Sequence, residues 1–279
     1  MFDLDSRLRP DPTDVASALS GRDAICLYAL ARRSHAPEFP AAAYEERLRL
    51  HGVGSIAAVI GIVPIAEYCG VDAERNLADV AWLAPRVRRH AELVAWTMQW
   101  SPVFPAPFGT FFKSFDSLTE FLSAHRQTIA AFLERVADKD EWELRGAARF
   151  DSPDLLDKLA SRARPEWRAL SKGVRYMRLC RERGALLDFG RAEAAAVVRS
   201  HVAELQPLSA AVRELVPGRN TDPNAGEPVA RYALLVHRGD SGKLREAVRA
   251  IGSSAEQVVI VLSGPLPPFS FRPDLPARN

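Results

Sequence analysis

The chain has 279 residues, 47% hydrophobic and 26% charged, an ordinary globular composition that excludes wholesale disorder and fibrous repeats. Its 37 basic and 35 acidic side chains leave a formal charge of only +2, which argues against a strongly basic nucleic-acid protein. Cys26, Cys69 and Cys180 lie far apart and form no CxxC pair, so neither a disulfide framework nor a structural zinc site has a starting point.

Residues 1–22 read as a polar lead-in, with acids and proline where a secretory signal needs a basic start and an apolar run. Ala24–Leu30 (AICLYAL) predicts a buried strand. After a Pro-bearing loop, residues 41–50 predict a short helix. Ser55–Val63 predicts a second buried strand, ended by Pro64. Residues 73–99 are helical in period, with Leu77, Val80, Trp82, Leu83, Val87, His90, Leu93, Val94 and Thr97 forming an apolar stripe. Pro85 predicts a break or a new first turn within it. A Pro- and Phe-rich connection (101–112) leads to an amphipathic helix over Ser117–Val136, and Glu141–Ala148 predicts a strand.

Residues 153–215 predict a long helical region in which Pro165 starts a helix. Leu170, Val174, Met177, Cys180, Leu187, Ala194, Val198, Val202, Leu205, Leu208, Val212 and Leu215 recur at close to 3.5 residues. Gly184 falls on this stripe, so either one long helix or a hairpin turning at Gly184 fits, and Pro207 ends or kinks it. Residues 217–228 are a loop by composition. Tyr232–Val236 (strand), Gly242–Ile251 (helix) and Val258–Leu262 (strand) follow, then a tail (264–279) too rich in proline for helix or inner strand. The fold class is α+β with two domains. Residues 1–139 form an N-terminal α+β domain. Residues 140–279 have the order β, long α, β, α, β and form a ferredoxin-like sandwich. No segment approaches the roughly 18 uncharged apolar residues of a membrane span, so a soluble cytoplasmic protein without membrane contact is expected.

Motifs that invite chemistry are thin. Gly52–Ala57 fits a loose GxGxxA pattern but precedes a strand instead of opening a helix. Gly239–Lys243 lies between a strand and a helix, yet has His237 where a phosphate loop needs glycine and Leu244 where it needs Ser or Thr. The six histidines are scattered, and His90 reads as a hydrogen-bonded core residue. No catalytic residue, metal ligand or cofactor site is expected.

One charge bias stands out. Residues 158–183 hold nine basic side chains, including Arg168, Lys172, Arg175, Arg178 and Arg181, against Glu166 and Glu182 only, a net of +7. Three readings fit: a solvated face whose acidic partners lie elsewhere in the fold, a surface for a protein partner, or a phosphate-backbone contact. Nucleic acid is not the expected main target.

Two segments carry a family resemblance. Val103–Phe112 (VFPAPFGTFF), followed by a helix and Glu141-Trp142, resembles the "VLPxRFGTxF … EW" stretch of the gas-vesicle accessory proteins GvpF and GvpL. Ser263–Phe271 (SGPLPPFSF) is similar to that family's C-terminal "TGPWPPYSF". Around them, Leu27-Tyr28 resembles the early "YVYG" strand, Ser55–Val59 the "LAxV" stretch, Asp79–Val94 the "H(N)xVV" helix, and Gly173–Arg183 the "GxAYLxxR" helix start. The resemblance spans residues 24–271. Pro107 replaces the family arginine, Leu266 a tryptophan, Phe269 a tyrosine and Ala91 an asparagine, which marks a divergent member.

The resemblance implies two α+β domains, the second a modified ferredoxin fold with a long helix. It also implies a non-enzymatic accessory role in gas vesicle assembly, with the small hydrophobic shell protein and other accessory proteins as partners. Its motif residues Val103, Pro105, Phe108, Gly109, Thr110, Gly264, Pro265, Pro267, Pro268, Phe269 and Phe271 become the candidate interface. They are rigid or aromatic and do not titrate near neutrality. Phe269 and Phe271 are expected to alternate along an extended tail, docked either on the chain's own sheet or on a partner. The alternative function is a small-molecule-binding or enzymatic α+β protein with a pocket between domains.

Overall fold

A computed structural model describes residues 21–36, 48–70, 73–150, 152, 154–218, 226–252 and 258–275. The polar lead-in up to residue 20, and residues 41–47 of the expected short helix, lie outside these. The chain is a mixed helix and sheet protein that divides into two compact units. Met1–Asp138 with Pro267–Asn279 forms one, and Lys139–Leu266 the other.

The first unit is built on β1 (Asp23–Arg32) and β3 (Ile56–Pro64), antiparallel neighbours in a sheet ordered β2-β3-β1-β4. Almost every residue of β1 and β3 is buried, as expected of apolar runs covered on both faces. β2 (Arg49–Val53) is the edge strand, so residues 49 and 50, expected to end a helix, are extended instead. β4 (Val103–Pro105) and β5 (Phe111–Phe112) both pair with β1. They fall within the stretch read as a plain connection and are too short to show a period-2 pattern.

Two helices follow β3, α1 (Ala73–Ala78) and α2 (Val80–Trp100). The break falls at Asp79, whose carboxylate accepts from the Ala81 N–H at 2.9 Å. Pro85 does not break the helix. It sits inside α2, where it forfeits one bond to Ala81 and the remaining turns continue. The apolar stripe is fully buried only from His90 onward: His90, Leu93, Val94 and Thr97 are buried, Trp82 and Leu83 are half-buried, and Leu77, Val80 and Val87 are exposed. Leu93 and Val94 pack with Cys26, Tyr28, Val59 and Val103 on one face of the sheet. Phe104 points to the opposite face and meets Phe132 at 4.9 Å.

The single helix expected over Ser117–Val136 is two, α3 (Phe115–Ala124) and α4 (Arg126–Arg135). His125 interrupts them at φ −103°, ψ 7°. Leu118, Leu122, Ile129, Phe132 and Leu133 stay on one buried side, because the break leaves the heptad phase unchanged.

In the second unit β6 (Lys139–Ala148), β7 (Ala211–Leu215), β8 (Glu227–His237) and β9 (Val258–Leu266) form a sheet ordered β7-β8-β6-β9, every pair antiparallel. Between β6 and β7 run α5 (Leu155–Ala163), a 3-10 turn at Pro165–Ala169 and α6 (Lys172–Leu205), a continuous helix of 34 residues through Gly184. Pro165 therefore opens the short turn, and the long helix starts at its Ser171 cap. There is no hairpin at Gly184. The expected helical region to 215 stops ten residues early: Pro207 lies in a second 3-10 turn, and Val212 and Leu215 belong to β7. α7 (Ser241–Gly252) joins β8 to β9. Ala194, Val198, Val202 and Leu205 of α6 pack with Leu244 and Val248 of α7 over Trp142, Leu144 and Leu234.

The expected loop at 217–228 is shorter, because Glu227 and Pro228 already lie in β8; residues 219–225 lie outside the description. The tail also differs. β9 continues through Gly264 and Pro265, which an edge strand tolerates because its outer N–H groups need no ladder partner. From Pro267 the chain groups with the first unit, not with the second half of the sequence.

Candidate interaction surfaces

The Val103–Phe112 motif is read as one edge of the β1 ladder with a turn looped out of it. β4 pairs Val103, Phe104 and Pro105 with Ala31, Leu30 and Ala29, and all three motif residues are buried. The Ala106 N–H donates to Tyr28 O at 3.0 Å, and the Leu27 N–H donates to Thr110 O at 2.9 Å. Pro107 to Thr110 bulge between these two bonds. The Thr110 hydroxyl donates to Pro107 O at 2.8 Å and closes the turn. Gly109 sits at φ +83°, a conformation side chains disfavour.

His90 of α2 ties this turn down. Its Nε2 donates to Ala106 O at 2.9 Å, which fixes the ring's tautomer because a carbonyl only accepts. Its ring lies 5.4 Å from Tyr28 and 5.7 Å from Phe108. His90 is thus a core residue, and Phe108 is its half-buried cover. Beyond the turn, Phe111 and Phe112 line a groove of about 620 Å³ with Phe121 and His125, a feature visible in sequence only as adjacent phenylalanines.

The tail motif is split in function. A Cβ on Gly264, at φ +153°, would stand 2.7 Å from the Trp142 ring and 3.1 Å from Glu141 O, so the strand can cross there only without a side chain. Pro265 follows within β9. Pro267 and Pro268 are buried. Phe269–Phe271 is a 3-10 turn, so the two rings do not alternate along an extended segment as expected: successive residues of this turn are about 120° apart, which sends residues i and i+2 in different directions. Phe269 is 38% exposed, and the Phe271 carbonyl accepts from Arg135 of α4.

Two polar features of the second unit are structural. Glu143 is buried on β6 and accepts from Arg231 at 2.6 Å and from Arg145. Burial pushes its pKa up, but the hydrogen bonds and charges of the two guanidiniums outweigh that and hold it below the ordinary value. In the Gly239–Lys243 turn, Lys243 pairs with Asp240 at 2.9 Å, which lowers the Asp240 pKa and raises that of Lys243. The Gly52–Ala57 segment is the β2–β3 hairpin, with Gly54 at φ +59° and no helix for a pyrophosphate to cap.

The basic stretch is sorted by the structure into two sets. Lys158 pairs with Asp154 at 3.5 Å, Arg162 with Glu193 at 3.1 Å, Arg175 with Asp157 at 3.6 Å, and Arg164 with Glu182. The first of these is local to α5 and its cap; the other three lie where α5 and its following turn meet α6, around buried Leu159, Trp167 and Leu186. Arg175 is therefore drawn toward α5, away from its neighbours. Arg168, Lys172, Arg178, Arg181 and Arg183 form no ion pair among the described residues. They flank Val174, Tyr176 and Met177, which are 44%, 70% and 73% exposed. The repeat in the sequence could not reveal this split, because its spacing is the same in the covered and uncovered halves.

The gas vesicle synthesis protein GvpL/GvpF family model matches residues 24–273. The solved structure of gas vesicle protein GvpF from Anabaena sp. PCC7120 is similar over 92% of this chain and 99% of that one, with a TM-score of 0.64 at 13% identity. GvpF from Microcystis aeruginosa is similar over 90% and 99%, with a TM-score of 0.59 at 13% identity. No curated protein sequence matches the chain.

Proposed function

Because the chain belongs to the gas vesicle synthesis protein GvpL/GvpF family, we propose that it is a non-enzymatic accessory protein of gas vesicle assembly. On this reading it works in the cytoplasm and at the vesicle by contact with the small hydrophobic shell protein and other accessory proteins. The observation that carries it is the extent of the family match, which runs from β1 to the tail and includes both motifs.

The chemistry of the motifs supports a role in binding. Val103, Pro105, Gly109, Thr110, Gly264, Pro265, Pro267 and Pro268 set backbone course, and Phe108, Phe269 and Phe271 offer rings. None of them carries a proton or a charge to a substrate. The basic residues Arg168, Lys172, Arg178 and Arg181 are candidates for the partner contact, with Arg175 already engaged by Asp157. The order β7-β8-β6-β9, with helices after β6 and β8, supports a modified ferredoxin-like sandwich for the second unit.

Deletion of the gene from a vesicle-producing strain tests the proposal. Loss or malformation of floating vesicles, restored by the intact gene, is expected. Unchanged vesicle number and shape would remove the role.

A further inference from the structure

The N-terminal half of α6 has two opposed sides. One is pinned to α5 through Trp167, Leu186 and the Arg164–Glu182 and Arg175–Asp157 pairs. On the other, Gly173, Met177, Cys180 and Gly184 follow one another at spacings of four, three and four residues, the interval of a coiled-coil seam. All four are exposed, and nothing stands within 4 Å of where a Cβ would be on either glycine. The seam runs about 16 Å, three helical turns. Val174 and Tyr176, then Arg181 and Arg183, occupy the flanking positions that in a coiled coil face the partner's charges.

The charge here is costly to keep. Lys172 sits in the first turn of α6, where the helix dipole disfavours cations; that turn holds no acid, and Asp157 of α5, which reaches it, pairs with Arg175. Arg181 and Arg183 have no acid among the described residues, and the one unpaired acid of the stretch, Glu166, lies outside the helix. A second copy laid along this seam would bring like charges together. A phosphate backbone would leave Met177 and Val174 against charged oxygens, with no apolar partner. An amphipathic helix with apolar residues on its seam and Asp or Glu on its flanks satisfies both features at once.

We infer that the exposed seam of α6, Gly173-Met177-Cys180-Gly184 with Arg181 and Arg183 beside it, is a docking surface for an acidic amphipathic helix of a partner protein. This rests on the reading of the chain as an interaction protein. It adds the face used and the chemistry of what it takes.

The test uses the full chain and a synthetic helical peptide of about 20 residues, with leucine on the seam and glutamate on the flanks. A second peptide carries lysine on the flanks, and a DNA duplex is the third probe. The acidic peptide should bind, and the lysine peptide should not. Met177→Asp and the pair Arg181→Glu, Arg183→Glu should each weaken acidic-peptide binding by at least about tenfold, with unchanged circular dichroism and melting temperature. The double reversal should gain binding of the lysine peptide, a rescue that simple damage to the fold cannot produce.

Equal binding of both peptides, or no binding, would overturn the proposal. So would DNA binding that Met177→Asp leaves intact, or self-association that the same substitutions abolish. If deletion of the gene abolishes vesicles while the acidic peptide fails to bind, the assembly reading stands and this surface falls. If the gene is dispensable but the charge-swap rescue holds, the surface stands and its assignment to vesicle assembly falls.

Discussion

The two halves of α6 share one sequence rhythm and meet opposite surroundings. Residues 186–205 bury Leu186, Gly190, Ala194, Val198, Val202 and Leu205 against the sheet and α5. Residues 172–185 hold no fully buried side chain and pack against α5 and its turn, although Val174, Met177 and Cys180 continue the apolar stripe. The stripe of a long helix is thus a promise of contact, not a record of it. Where the sheet ends, the helix presents the same face to solvent, and there the sequence surrounds it with arginine.

The largest effect should come from the covered half. Val198→Asp puts a carboxylate into a site with no exposure. It should destabilise the protein by more than about 3 kcal/mol, read by urea unfolding. A small loss would mean that the helix rests only loosely on its sheet.

The sheet beneath that half should also respond to acid. Glu143 is held below its ordinary pKa of 4.5, so its contribution is present at neutral pH and is lost as pH falls through 4.5 toward the folded value. Glu143→Gln should cost about 1–3 kcal/mol at pH 7 and flatten the stability profile below pH 4.5. An unaltered profile would show that Arg231 and Arg145 do not govern this carboxylate.

Where the first half meets α5 and its turn, Glu182→Gln removes the partner of Arg164 at a site that is still partly solvated. The expected cost is about 0.2–1 kcal/mol, and it should shrink further in high salt. The smallest effect should come from the exposed half. Met177→Asp, at 73% exposure, should change stability by less than about 0.5 kcal/mol. A loss comparable to that of Val198→Asp would erase the distinction between the halves.

What the sequence could show follows the same physics. The runs that became β1, β3, β6 and β8 were legible because their residues are covered along most of their length, and β9, half-exposed, was legible from its run of β-branched residues at 258–261. The helical character of α6 was legible from its repeat, whereas its continuity through Gly184 was not. Nor was its end, because Leu208, Val212 and Leu215 keep the helical spacing by coincidence across a turn into β7. The break at His125 was hidden because Leu122 and Ile129 stay seven residues apart across it. β4 and β5, with three and two residues, are too short to carry a pattern and exist by pairing with β1.

The site was legible in part. The motifs drew attention to two segments, but could not show that Gly264 makes room for Trp142 or that Phe108 covers His90. Those pairs lie far apart in sequence. Likewise nine basic residues could be counted, while only the fold divides those paired across α5 and α6 from those facing solvent.

The most direct measurement is complementation of a vesicle-producing strain that lacks this gene. The intact gene and one encoding Met177→Asp with Arg181→Glu are compared for floating vesicles, with both proteins checked for equal abundance and melting temperature. Vesicles are expected from the first and few or none from the second. Vesicles in equal number and shape from both would contradict this expectation.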